Sequence, residues 1–150
     1  MKALITGVFG SVGSYMAEYI KREWPHCEVH GMGRAGYNPA LDESWVMDLR
    51  DEPMVNMLIN NGQYDVIFHY ASNADVAGSF NHQTDIFENN AISTSILFQA
   101  IKEHSIHSQV ILASTSEVYG ACEHGNPIDE NEPLAPANPY AVSKTCQDLL

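Results

Sequence analysis

The chain is poor in positive charge. Among its 150 residues, seven lysines and arginines stand against nineteen aspartates and glutamates, which gives a formal net charge of −12. Proteins that bind nucleic acids neutralise phosphates with clustered cations, so we do not expect nucleic acid as a partner. Any phosphate that this chain binds must be held by backbone amides and a few well-placed cations.

Cysteines and long apolar runs are also scarce. The three cysteines, Cys27, Cys122 and Cys146, are widely spaced and odd in number, which indicates neither a disulfide framework nor a zinc site. We therefore predict no metal and expect a reducing cytoplasm. No stretch is apolar enough to span a membrane. The first apolar run is short and interrupted by glycines, which predicts a buried strand and not a signal peptide.

Short apolar runs alternate with amphipathic stretches along the chain. The pattern predicts strands at residues 3–5, 28–32, 45–47, 65–70 and 109–113, and helices at residues 14–22, 52–60 and 84–104. A loop at 121–138 precedes a further helix, for which Asn138 is the expected N-cap and Pro139 the first helical residue. Strands with apolar centres that alternate with helices are typical of a parallel sheet covered on both faces. The predicted fold class is therefore α/β, a doubly wound parallel sheet of the Rossmann type in a single domain.

A glycine-rich turn lies between the first strand and the first helix. Gly7 allows a tight turn, Gly10 lets a pyrophosphate approach the backbone, and Gly13 lets the helix pack close to the sheet. The helix N-terminus then offers N–H groups and a positive dipole to phosphates. The predicted contacts with a dinucleotide are Gly7, Phe9, Gly10, Ser11, Val12 and Gly13. The alternative is a glycine turn without a ligand.

The residue after the second strand indicates which dinucleotide is bound. A carboxylate there would hold the ribose 2′-hydroxyl of NAD, whereas an arginine would accept the 2′-phosphate of NADP. Arg34 is the first charged residue after the strand, and no acid follows until Asp42. We therefore predict NADP, with NAD as the alternative cofactor and a solvated loop arginine as the alternative role of Arg34.

Two polar segments near the C-terminus carry the predicted chemistry. The segment 113–120 ends the fifth strand, and the carboxyl ends of strands face the ligand crevice of such a sheet. Tyr140 and Lys144 form a YxxxK sequence, whose members share one helix face. A free phenol titrates near pH 10, and a neighbouring ammonium favours the phenolate that a base needs. The alternative is a tyrosine at a helix start with a surface lysine.

The order of GxxGxxG, a Ser/Thr-rich strand end and YxxxK resembles the extended short-chain dehydrogenase/reductase superfamily, the NAD-dependent epimerase/dehydratase family, over the whole chain. The resemblance implies NAD or NADP on a doubly wound sheet and a nucleotide-activated sugar as substrate. It further implies that the pair Asp48-Leu49 belongs to the cofactor site, where Asp48 meets the adenine. The residues expected beside the cofactor's ribose and phosphates are Tyr70, Ala71 and Ser72. Asn90 matches a family asparagine, and a structural role is favoured for it.

The sequence STSEVYG at 114–120 is most similar to that of GDP-mannose 4,6-dehydratases. By this resemblance Tyr140 takes the C4 hydroxyl proton as hydride leaves for the nicotinamide, and Thr115 binds the C4 oxygen. Lys144 tunes Tyr140 and holds the cofactor ribose. Glu117 removes the C5 proton, water leaves from C6 and the hydride returns. The alternatives are an epimerase, decarboxylase or ketosugar reductase of the same superfamily, a dinucleotide-binding module without turnover, and Glu117 as an exposed loop carboxylate.

The chain stops at Leu150, inside the YxxxK helix. We expect residues 1–150 to be a truncated, N-terminal portion of the Rossmann domain, with the family's sugar-nucleotide lobe absent. The resemblance also implies a homodimer formed through the long helix and the YxxxK helix.

Overall fold

The computed structural model describes residues 1–105, 107–121 and 127–150. Cys122 and residues 123–126 of the predicted loop lie outside the described residues. The strands are β1 (Lys2–Thr6), β2 (Glu28–Gly33), β3 (Glu43–Val46), β4 (Val66–His69) and β5 (Gln109–Leu112). The α-helices are α1 (Ser11–Glu23), α2 (Glu52–Gly62), α3 (Val76–Ser79), α4 (Gln83–Phe87), α5 (Ser93–His104) and α6 (Pro139–Leu149). A π-helical segment (Glu88–Ile92) separates α4 from α5, and a 3₁₀ helix (Ser116–Tyr119) follows β5.

The chain divides into two compact units. The first consists of Met1–Ser72 and Ile96–Ala113, and the second of Asn73–Ser95 and Ser114–Leu150. In the described part of the chain, no helix is both long and apolar enough to cross a membrane.

The first unit contains a five-stranded parallel sheet in the order β3-β2-β1-β4-β5. The chain runs outward from β1 to β3 and then returns to the other side of β1, so the strand order reverses between β1 and β4. Thr6 at the end of β1 pairs with His69 at the end of β4. Ligands of open α/β sheets bind outside the carboxyl ends of strands at such a reversal. The predicted doubly wound parallel sheet is confirmed.

Helices cover the sheet because its side chains alternate between two apolar clusters. Leu4 packs in one cluster with side chains of α2 and α5, and its neighbours Ala3 and Ile5 pack in the other with side chains of α1. All three strand residues are fully buried. A strand buried on both faces reads as an uninterrupted apolar run, which is why β1 and β4 could be recognised in the sequence.

The predicted boundaries of β3 were wrong. The strand begins at Glu43 and ends at Val46, whereas residues 45–47 were predicted. Among the described residues this edge strand pairs only with β2 and leaves Glu43, Ser44 and Val46 exposed, so it needs no apolar run. Met47 lies outside the strand, but its side chain is buried in the core.

The long helix predicted at 84–104 is interrupted in the structure. Between α4 and α5 the turn widens to the π-helical segment, and Asn90 lies within it. The hydroxyls of Ser93 and Thr94 donate to the backbone oxygens of Asn89 and Asn90, at 2.6 and 2.7 Å. Apolar spacing does not distinguish a π-helical turn from an α-helical one, so the sequence did not reveal the interruption. The short helix α3, capped by Asp75, was also not predicted.

Candidate functional site

The glycine turn at residues 7–13 is tightly constrained. Gly7 has a φ of +69°, and a Cβ added there would lie 2.7 Å from the backbone nitrogen of Ala71. A Cβ on Gly13 would lie 2.5 Å from the Gly7 oxygen. Both positions therefore require glycine. Because Gly10 is the N-cap of α1, no cap side chain covers the first N–H groups of the helix, and the turn has the geometry that phosphates require.

Thr6 ties the glycine turn to the end of β4 and was given no role from the sequence. Its Oγ1 accepts a hydrogen bond from the Ala71 backbone N–H at 3.1 Å and shares another with His69 Nδ1 at 2.6 Å. Both Thr6 and His69 are buried. The available signal was the threonine that opens the TGxxGxxG sequence.

The other predicted cofactor residues of the first unit have different surroundings. Phe9 packs on Gly33, where an added Cβ would lie 2.7 Å from the phenyl ring. Ser11, Val12 and Arg34 are exposed. Tyr70 and Ala71 are half-buried, and Ser72 is exposed. Leu49 is buried in the apolar core.

Asp48 carries a tight ion pair that the sequence did not reveal. Arg50 donates to Oδ1 from Nε at 3.0 Å and to Oδ2 from a guanidinium NH₂ at 2.8 Å, and its backbone N–H also donates to Oδ1. These hydrogen bonds lower the pKa of the Asp48 carboxyl, partly opposed by burial, and the positive charge of Arg34 acts in the same direction as Arg50. Arg34 and Asp48, predicted separately, are therefore electrostatic neighbours.

In the second unit, Thr115 and Glu117 belong to one tight turn. Thr115 is the N-cap of the 3₁₀ helix, and its Oγ1 accepts a hydrogen bond from the Glu117 backbone N–H at 3.3 Å. The Glu117 side chain is half-buried, and its Oε2 accepts a hydrogen bond from Asn138 Nδ2 at 2.5 Å. The alternative of a freely exposed loop carboxylate is therefore wrong.

Helix α6 presents Tyr140 and Lys144, and begins as predicted with Asn138 as N-cap and Pro139 in the first turn. Both site residues are buried: the exposed fraction is 8% for Tyr140 and 3% for Lys144. Burial lowers the pKa of the Lys144 ammonium, and the carboxylate of Asp148 partly opposes that shift. The alternative of a surface lysine is excluded.

Asn90 holds the start of the second unit together. Its Oδ1 accepts from the Asn73 backbone N–H at 2.7 Å, while its Nδ2 donates to the Asn73 oxygen at 3.0 Å and to Ser143 Oγ at 2.9 Å. Asn90 is fully buried. These contacts agree with the structural role favoured from the sequence; the contribution of Ser143 could not be foreseen, because it depends on which helices pack together.

The predicted residues fall into two groups. Thr115, Glu117, Tyr140 and Lys144 all belong to the second unit, and the remaining predicted cofactor residues belong to the first. Sequence reasoning missed Thr6, Arg50 and Ser143. It found Asn138 as a helix cap but not as a partner of Glu117.

Comparisons with known proteins identify the family of the chain. The sequence profile of the NAD dependent epimerase/dehydratase family matches residues 3–150. The chain is 32% identical to a GDP-mannose 4,6-dehydratase of Vibrio cholerae, over 95% of this chain and 42% of that protein. It is 28% identical to a UDP-glucose 4-epimerase of Halalkalibacterium halodurans, over 96% of this chain and 43% of that protein.

A solved structure shows the same fold. The UDP-glucose 4-epimerase of Thermus thermophilus, crystallised with NAD, superposes with a TM-score of 0.89 at 26% identity, over 99% of this chain and 49% of that one. The chain thus spans half or less of the length of these relatives.

Proposed function

The chain belongs to the NAD dependent epimerase/dehydratase family, and from this premise we propose that it carries the cofactor-binding and catalytic residues of a nucleotide-sugar 4,6-dehydratase. The observation that carries the proposal is the half-buried carboxylate of Glu117, held by Asn138 in the same unit as Thr115, Tyr140 and Lys144. A 4-epimerase or reductase needs only the hydroxyl, phenol and ammonium groups. A dehydratase needs a further base for C5, and Glu117 supplies one.

The first unit fits a nicotinamide dinucleotide. The absence of a Cβ at Gly7 and Gly13 leaves a turn that side chains would fill, next to the N-terminus of α1. We propose that the backbone of this turn holds the pyrophosphate. When bound, the cofactor supplies an oxidised nicotinamide ring that takes a hydride from the sugar and returns it, so no second redox substrate is needed.

We propose NADP as the preferred dinucleotide. Arg34 is the first charged residue after β2, where the adenine ribose is expected, and Asp48 is already paired with Arg50. A related UDP-glucose 4-epimerase was crystallised with NAD, so NAD is the alternative cofactor. The homodimer and the identity of the sugar and nucleotide stay predictions.

The chain's own residues would act on the sugar as follows. The Tyr140 phenolate accepts the proton of the C4 hydroxyl, and the Thr115 hydroxyl donates a hydrogen bond to that oxygen. Lys144 sits on the same helix face and favours the phenolate by its charge. The Glu117 carboxylate then takes the proton from C5 of the 4-ketone and delivers it to the C6 hydroxyl, which leaves as water.

The family relatives include 4-epimerases, so the experiment must separate dehydration from epimerisation. The complete natural protein with NADP is incubated with GDP-mannose and with UDP-glucose, and the products are followed by mass spectrometry. We expect loss of one water from a nucleotide sugar, and Glu117→Gln should abolish it. Glu130→Gln, an exposed acid of the same unit, is the matched control. Isomerisation without loss of mass, or dehydration retained by Glu117→Gln, would overturn the proposal.

A further inference from the structure

The side chain of Asn138 makes hydrogen bonds with two different partners. Its Oδ1 accepts a hydrogen bond from the Ala141 backbone N–H at 2.7 Å, which caps α6, and its Nδ2 donates to Glu117 Oε2. Its backbone oxygen also accepts from the Val142 N–H at 3.0 Å. One residue therefore fixes the first turn of the helix that carries Tyr140 and contacts the carboxylate of Glu117.

The orientation of the Asn138 amide follows from chemistry. A backbone N–H can only donate, so the atom that faces Ala141 must be the oxygen of the side-chain amide. The nitrogen then faces Glu117 and can only donate. The Oε2 atom of Glu117 is consequently the acceptor of this hydrogen bond.

The segment before α6 is held against the turn that contains Glu117. The Ala135 backbone N–H donates to the Val118 oxygen at 2.9 Å. Gly120 ends the turn with a φ of +66°, and a Cβ there would lie 2.1 Å from the Ala135 oxygen. Because the backbones on both sides are fixed in this way, the contact between Asn138 and Glu117 joins two ordered segments.

We propose that Asn138 is a positioning residue for the Glu117 carboxylate, in addition to its role as a helix cap. The inference rests on the proposed function of Glu117 as the base at C5. The hydrogen bond engages one carboxylate oxygen and restricts rotation of the side chain, and the carboxylate retains a second oxygen with which to accept the C5 proton. A base held in this way loses less rotational freedom when it meets the substrate.

Two substitutions separate positioning from capping. Serine and aspartate are both good N-caps, so Asn138→Ser and Asn138→Asp keep the bond to Ala141. Asn138→Ser shortens the side chain that reaches Glu117, and Asn138→Asp places a carboxylate oxygen against Oε2 in place of a donor. Asp51→Ser, at the N-cap of α2, is the matched control for cap exchange at a helix with no part in the chemistry.

The first measurement detects the contact without any turnover. In ¹⁵N spectra of the complete natural protein, we expect the Asn138 side-chain amide signals to change with pH and to lose that response in Glu117→Gln. An unchanged response in Glu117→Gln would overturn the inference. This arm is independent of substrate, so it decides the contact even if the wild-type protein dehydrates no nucleotide sugar, an outcome that would sink only the proposed function.

The second measurement separates two steps of the reaction. Transient absorbance of the reduced nicotinamide reports oxidation at C4, and uptake of solvent deuterium reports proton removal at C5. Since one hydrogen bond to a charged group is lost, we expect Asn138→Ser to slow C5 exchange about 10-fold and Asn138→Asp about 100-fold, with C4 oxidation and the Asp51→Ser control within about 2-fold of wild type. Wild-type C5 exchange in both variants, or a parallel loss of both steps, would overturn the positioning role.

Discussion

The side-chain amide of Asn90 donates a hydrogen bond to the hydroxyl of Ser143 across 2.9 Å, and both residues are buried. Ser143 Oγ in turn donates to the backbone oxygen of Tyr140 at 2.7 Å. The π-helical segment is therefore connected to the backbone that carries the predicted catalytic tyrosine. A residue with no expected contact with substrate thus orders the helix on which the chemistry depends.

Asn90→Leu should destabilise the chain strongly. Leucine has the same number of side-chain heavy atoms and the same branching, but it leaves Ser143 and both backbone groups of Asn73 without the partners that Asn90 provides. Because three hydrogen bonds are lost at a buried position, we expect the free energy of unfolding to decrease by about 2–4 kcal/mol. Urea denaturation measures it. Asn89→Ala, at the half-exposed neighbouring position, should cost less than about 1 kcal/mol, and equal losses in the two variants would contradict the assignment.

Gly7 and Gly10 of the glycine turn should respond differently to alanine. Gly7→Ala forces a positive φ and a contact with the Ala71 backbone, so we expect a loss of stability of at least about 1–2 kcal/mol. At Gly10 the added Cβ would lie 3.3 Å from the Gly7 oxygen, so the fold should tolerate it. Gly10→Ala should nevertheless weaken dinucleotide binding about tenfold, the equivalent of one charge-assisted hydrogen bond. Thermal unfolding and titration of nicotinamide fluorescence measure the two effects, and undiminished binding by Gly10→Ala would place the phosphates elsewhere.

Arg34→Ser should change the preference between dinucleotides. If Arg34 binds the 2′-phosphate, its removal should weaken NADPH binding about 10- to 100-fold and leave NADH binding within about 2-fold. Fluorescence titrations with both reduced cofactors measure the ratio. Arg22→Ser removes an exposed arginine that pairs with Glu23 and should change neither affinity. An equal loss for both cofactors in Arg34→Ser would assign that residue to a different role.

Lys144 should make stability depend on pH in the alkaline range. Burial lowers its pKa in the folded state, so between that value and the unfolded value of about 10.4 the unfolded chain binds more protons. Stability associated with this group therefore rises with pH through that window. Asp148→Asn removes the opposing charge, so the pKa of Lys144 should fall further and the rise should begin at lower pH.

The titration of Lys144 can be followed directly through the ¹³C resonance of its side chain next to the ammonium. Glu130→Gln is the control, because it also removes one negative charge from the second unit but at an exposed position. A midpoint in Asp148→Asn at or above that of the wild-type chain would contradict the assigned influence of Asp148.

Local signals were sufficient for several features that depend on near neighbours in the chain, although the pair of Asp48 and Arg50, two residues apart, was missed. Three features each involve only a few consecutive residues and can be recognised in the sequence. They are the apolar run of β1, the glycine spacing after it and the helix cap Asn138-Pro139. The edge strand β3 was misplaced because pairing on one side demands little of its own side chains. The π-helical segment escaped notice because its apolar spacing is that of an ordinary helix.

The sequence by itself determined the parallel sheet, the glycine turn after β1 and the family, since each follows from periodicity or from residues at short, fixed spacing. Only the tertiary structure decided that Asn90 contacts Ser143, that Lys144 is buried, and that Asn138 contacts Glu117 across 21 positions of the chain. These are contacts between residues on different turns and helices, and they exist only after packing has brought their backbones together. Hydrogen bonds and charges act over a few ångströms in space, and no spacing in the chain encodes that distance.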